Sequence, residues 1–233
     1  MNSIRFRFAL LLGLLLLVSR IAGAETPTVT IGGTIISLPP PVGFFRYDGK
    51  SSIIDKIEQR LLPASNRLLA AFGSEETLAE VLIDHIPKIE RHFSAQSVRE
   101  LESLDVPQAG FAEMRPGIRD AFTPQSGKYS SIIKELESNA SSISSAVLKI
   151  GEMIPLRIFD DTKESICFSM LCKVQVDTIP RSYVSIVAGA VVRVRNRIFY
   201  LYASVPYHDK ADIEWARRSV QQWRDDVLKA NSR

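Results

Sequence analysis

The period of the apolar positions changes along the chain, and each change marks an element. Val29–Leu38 (VTIGGTIISL) alternates β-branched residues about Gly32 and Gly33, which predicts a hairpin or a bulged strand. Phe44–Asp48 (FFRYD) reads as a short strand. Ser51 and Ser52 offer an N-cap, and Ile53, Ile54, Ile57 and Leu61 mark one helical face that Pro63 stops. Asn66–Phe72 (NRLLAAF) is the next strand. Ser74 caps a second helix with acids in its first turn, and Leu78, Val81 and Leu82 are expected to face inward. Lys88–Ser97 (KIERHFSAQS) reads as extended. Residues 98–150 form a helical insert. Its first part holds two short helices, VRELESL and GFAEMRPGIRDAF, the latter broken near Pro116. In its second part Tyr129, Ile132, Ile133, Leu136, Ala140, Ile143, Val147 and Ile150 step by the spacing of one long helix, or of two shorter ones, with Ser and Asn weakening the middle.

The last third is patterned more sharply. IPLRIF and SICFSMLCKVQV read as strands joined by the polar turn DDTKE, and YVSIVAGAVVRV and RIFYLYASV as a hairpin about Arg195 and Asn196. The final strand is apolar on both faces, with Phe199, Leu201, Ala203 and Val205 on one and Ile198, Tyr200 and Tyr202 on the other. Such a strand belongs inside a covered sheet. Asp209 caps a terminal amphipathic helix carrying Ile213, Ala216, Val220, Trp223 and Val227. Strands, then helices, then strands, then one helix is the signature of an α+β domain, a largely antiparallel sheet covered by helices.

Residues 1–24 fall outside that domain. Arg5 and Arg7 precede the unbroken apolar run Phe8–Val18, and Ala22-Gly23-Ala24 follows, the arrangement of a secretory signal cleaved before Glu25. Arg20 interrupts the run short of the roughly 20 apolar residues that span a bilayer. The chain is then expected to be exported to the periplasm or the exterior as a single domain over 25–233. Processing also changes the charge. The full 233 residues hold 29 Lys plus Arg and 26 Asp plus Glu, net +3. The leader takes away three arginines and no acid, so the remainder is neutral. The positive excess of a nucleic-acid-binding protein is missing. Arg193, Arg195 and Arg197 cluster at a turn and read as solvated.

The opening Leu38-Pro39…Gly43-Phe44, the strand Asn66–Ala70, the hydrophobic hairpin Gly189–Val205 and the finish Leu201–Arg217 (LYASVPYHDKADIEWAR) resemble a known pattern. It is similar to the α/β/α sandwich of DcrB-like envelope proteins and PsbP-like extrinsic photosystem subunits, and to exported bacterial proteins of that shape. The resemblance spans most of residues 28–230 in its elements, through short motifs. It implies an accessory domain of the envelope or lumen, with no catalytic set and no cofactor.

Candidate chemistry is sparse. Glu76, Glu80 and Asp84 fall at i, i+4 and i+8, a weak oxygen-donor set for a metal and more commonly a solvated face. Tyr200, Tyr202 and Tyr207 could line a pocket beside Trp223, although aromatic residues on a central strand usually form core. His85, His92 and His208 stand in no H-E-x-x-H motif. Cys167 and Cys172 sit five residues apart on one predicted strand, roughly 16 Å between Cα atoms at ~3.3 Å per residue, too far for a disulfide. Asn139-Ala140-Ser141 is a glycosylation sequon that matters only in a eukaryotic secretory pathway. The three prolines Pro39–Pro41 are expected to form a stiff corner rather than a docking ligand, because strand-forming residues flank them on both sides. The expected role is a non-enzymatic accessory or binding protein of the envelope, with another envelope protein as partner. The rivals are a hydrolase with a site of scattered residues and a small-ligand carrier with an aromatic-lined pocket.

Overall fold

The computed structural model describes residues 26–87, 90–122, 148–176 and 183–232. The leader, the sequon and most of the expected long helix lie outside these. The hairpin forms from β1 (Thr28–Ile31) and β2 (Thr34–Ser37), antiparallel about Gly32 and Gly33. Both glycines have positive φ, 51° and 80°, as a two-residue primed turn requires. Gly32 has a second reason to be glycine. A Cβ there would lie 1.8 Å from the Glu102 carbonyl oxygen.

The remaining strands are β3 (Phe45–Arg46), β4 (Asn66–Gly73), β5 (His92–Val98), β6 (Leu148–Asp161), β7 (Ser165–Val176), β8 (Tyr183–Val194) and β9 (Arg197–Pro206). They form one antiparallel sheet in the order β3-β4-β5-β9-β8-β7-β6. The strand that is apolar on both faces, β9, takes the central place between β5 and β8. The edges are blunted. β3 has two residues, and β6 carries Pro155 and three register shifts against β7.

Helices cover both faces. On one lies α4 (Lys210–Ala230), which buries Ala216, Val220, Trp223 and Val227 together with Val29, Ile31, Ile36 and Leu38 of the hairpin region. Each large side chain buried this way contributes about 1.5–3 kcal/mol. Asp209 caps α4 with a capping box whose N3 partner is Asp212. On the other face lies α3 (Gln108–Ala121), with Phe111 packed among Phe168, Met170, Val191 and Ile198. Beside it α1 (Ser52–Arg60) and α2 (Glu75–Leu82) close over Tyr47 and Ala71, burying Ile54 and Val81. The fold is therefore α+β, a largely antiparallel sheet with helices on both sides.

Several local expectations change. Pro116 does not break α3. It has no N–H to donate to the Ala112 carbonyl, and both residues are exposed, so water can serve that carbonyl. VRELESL forms only a 3-10 turn, Arg99–Leu101. Leu148, Lys149 and Ile150 begin β6 rather than ending a helix, because they pair with Val176, Gln175 and Val174. Leu82 faces solvent, 60 % exposed. The Arg193, Arg195 and Arg197 side chains are not simply solvated. Arg193 pairs with Glu164 at 2.5 Å, Arg195 donates to the Ile35 carbonyl at 2.9 Å, and Arg197 donates to Thr34 Oγ1 at 2.9 Å and the Leu104 carbonyl at 2.6 Å. The primed β8–β9 turn, with Arg195 and Asn196 at φ 48° and 61°, thereby fastens the first hairpin to the sheet.

Candidate functional site

The proline corner and α4 together make a groove. Pro41-Val42-Gly43-Phe44 is a tight turn closed by the Phe44 amide donating to the Pro41 carbonyl at 3.0 Å, with Gly43 at φ 79° in the position that a type II turn reserves for glycine. Leu38 is fully buried before the corner and Phe44 packs on the core after it. The corner is also held from the far end of the chain. Trp223 donates its indole N–H to the Pro39 carbonyl at 2.7 Å, and the Asn231 side chain exchanges two hydrogen bonds with the Ser37 backbone, at 2.9 and 2.7 Å.

Between corner and helix runs a solvent-open groove of about 300 Å³, walled by Pro41, Val42, Phe44, Phe93, Trp215 and Trp223. Its aromatic rings continue a network that starts in the core. Phe72 meets Trp223 edge-on at 5.4 Å between centroids, Trp223 meets Phe93 at 5.5 Å, and Phe93 meets Phe44 at 4.6 Å and Trp215 at 5.8 Å. Edge-to-face pairs of this kind hold the rings in fixed orientations. Trp223 is only 1 % exposed, whereas Trp215 is half-buried at the groove and Val42 stands 84 % exposed at its lip. The Arg91 guanidinium sits 4.7 Å over the Trp215 ring. Along α4, Arg218 and then Asp226 complete the wall. Arg218 donates through Nε to the Glu214 carbonyl at 3.3 Å, and Asp226 accepts from Gln222 at 3.0 Å.

The four aromatic residues singled out in the sequence do not share a pocket. Tyr200 and Tyr202 stack in parallel, 6.0 Å apart, on the α3 face. Trp223 lies on the α4 face with Phe199, Leu201 and Ala203. The sheet stands between them because alternate residues of β9 point to opposite sides. Tyr207 is past the strand end and 37 % exposed. Trp223 alone of the set reaches the groove. Trp215, Phe44 and Phe93 carry no mark as site residues in the sequence pattern. Trp215 lies off the apolar stripe of α4, and its only signal is its place in the WAR segment.

The candidate acids also separate. Glu76 accepts from the capping hydroxyl of Ser74, which lowers its carboxyl below the usual value. Glu80 lies 3.8 Å from the His85 ring. Asp84 lies beyond α2 at φ 57° and takes a 2.6 Å hydrogen bond from Ser51. No group of three His, Cys, Asp or Glu able to hold a metal occurs among the described residues. A second groove of about 350 Å³ is lined by Asp48, Asp55, Lys56 and Gln59. Its carboxylates are already engaged, Asp48 with Arg46 and the Ala71 amide, Asp55 with the Gly49 amide. Cys167 and Cys172 are buried and unbridged. Burial pushes the Cys167 thiol up to about 12 although Arg224 lies 3.5 Å away, so it stays protonated.

Under that second groove Tyr47, fully buried, donates to Glu58 at 2.9 Å. Burial raises the Glu58 carboxyl above its ordinary 4.5, and Asp55 and Asp48 push the same way, while the tyrosine hydrogen bond opposes them. The native state therefore holds this proton more tightly than the unfolded chain. Its contribution to stability is full below about pH 4.5 and is lost as pH rises through the folded value. Glu58→Gln keeps an acceptor for Tyr47 and removes the titration. The stability of the variant relative to wild type, from urea unfolding, should rise as pH increases from 4.5 toward neutrality. A difference that stays flat across that range would contradict the raised carboxyl.

No family model matches the chain, and no curated protein matches it. Among solved structures it is similar to a mutant of the protein Mog1, at 9 % identity and a TM-score of 0.31, over 90 % of this chain and 94 % of that one. It is also similar to the Ran-binding protein Mog1p of Saccharomyces cerevisiae, at 9 % identity and a TM-score of 0.27, over the same shares.

Proposed function

We propose that the chain is an exported, non-enzymatic binding module of the cell envelope whose receiving face is the aromatic groove. The observation that carries this reading is the open groove itself, where a half-buried Trp215 and an exposed Val42 are presented on a rigid aromatic framework. Rigid aromatic side chains offer large contact area at little entropic cost, which is why they serve as anchors in binding sites. The apolar leader supports export, and the neutral charge of the remainder supports a partner other than nucleic acid. No helix among the described residues is long and apolar enough to cross a membrane. The resemblance to envelope accessory domains points the same way.

The test has two parts. Fractionation of cells carrying the full gene should find the protein outside the cytoplasm and shortened by about 24 residues, as the cleavage pattern requires. Affinity capture from envelope extract should then recover a component with the wild-type protein that is lost with Trp215→Ala. Retention of an unshortened chain in the cytoplasm, or identical captures by both proteins, would overturn the reading.

A further inference from the structure

The charges around the groove narrow what it receives. Its two ends differ. At the Trp215 end stand Arg91, over the indole, and Arg218, in the wall. Asp226 lies eight residues further along α4, about 12 Å at 1.5 Å per residue. It is the one acid in the wall, and Gln222 already occupies it. Arg218 uses only its Nε, toward Glu214. Among the described residues neither of its terminal nitrogens has an acceptor. A guanidinium with both terminal nitrogens free, beside an aromatic wall, presents the planar fork that fits a carboxylate. A volume of about 300 Å³ is at the small end of ligand pockets, enough for one ring and a short chain.

We propose that this groove binds a small aryl carboxylate, its ring against Phe44 and Trp215 and its carboxylate held by Arg218. The inference rests on the groove being the receiving face and adds the chemical class of the occupant. Arg91 contributes by holding the Trp215 ring in place and by adding positive potential at the same end. The ring supplies affinity through apolar burial, and the carboxylate supplies orientation.

Phenylacetate is the probe, with phenylacetamide as its neutral counterpart and phenethylamine as its cationic one. Each is titrated into the purified protein and followed by calorimetry and tryptophan fluorescence. Phenylacetate should bind saturably, with Kd of about 1 mM or tighter. Arg218→Gln should weaken it about tenfold or more, the size expected for charge-assisted hydrogen bonds, and bring it level with the amide. Phenylacetamide should bind wild type and Arg218→Gln alike. Trp215→Ala should abolish all three titrations. Arg218 is exposed, so an unchanged urea midpoint will confirm that the variant is folded. Equal binding of acid and amide to wild type, no response to Arg218→Gln, or tighter binding of phenethylamine would each overturn the carboxylate class. If no probe binds while envelope capture still depends on Trp215, the receiving face stands and this occupant falls. If capture is also independent of Trp215, both fall.

Discussion

Replacing Trp223 with alanine is expected to cost about 3–5 kcal/mol of folding stability, a large share of the roughly 5–15 kcal/mol that holds a domain together. The indole is only 1 % exposed and touches Phe72 and Phe93 edge-on, so its removal opens a cavity in the centre of the α4 face. The same change strips the Pro39 carbonyl of its 2.7 Å partner, about another 1 kcal/mol. Trp223→Phe separates the two effects, because it keeps most of the packing and loses the hydrogen bond. Urea unfolding should place Trp223→Phe between wild type and Trp223→Ala. A midpoint for Trp223→Ala within error of wild type would mean that the helix does not depend on this anchor.

Gly189→Val is expected to destabilise by about 2–3 kcal/mol, near the upper end for overpacking a core. Gly189 lies on β8 opposite Phe168 of β7, and a Cβ there would stand 2.4 Å from the Phe168 ring. The ring has nowhere to go. Phe122 stacks on it at 3.5 Å and Tyr202 approaches edge-on at 6.3 Å. Gly189→Ala meets the same obstruction with less volume and should fall between. Phe168→Leu combined with Gly189→Val should recover part of the loss, since a smaller partner makes room. If the double variant is no more stable than Gly189→Val alone, the clash is not the cause.

How far the sequence could lead is visible in these two sites. The two-faced apolar pattern of β9 placed that strand inside the sheet, because burial on both sides leaves no polar alternation. The caps Ser51, Ser74 and Asp209 and both primed turns were local signals, and local chemistry decides them. What depends on partners far along the chain was not legible. Leu148–Ile150 continue a helical spacing on paper, but pairing with Val174–Val176 overrides it. Arg197 looks like a surface charge until Thr34 and Leu104 arrive beside it. The groove is the clearest case. Phe44, Phe93 and Trp215 come from a turn, a strand and a helix that are remote in sequence, and no spacing rule brings them together. Periodicity favours Trp223 because it lies on the core stripe of α4. It passes over Trp215, which lies off that stripe, and that residue lines the opening.

The reciprocal pair between Asn231 and the Ser37 backbone ties the first hairpin to the far end of α4. The first hairpin finds its last fastening only when residue 231 has been synthesised, 194 positions later. The central strand β9 is likewise made after both of its neighbours, β5 and β8. Contacts this distant in sequence slow folding and leave strand edges unpaired meanwhile. Until α4 joins it, the first hairpin lacks both its packing partner and this fastening.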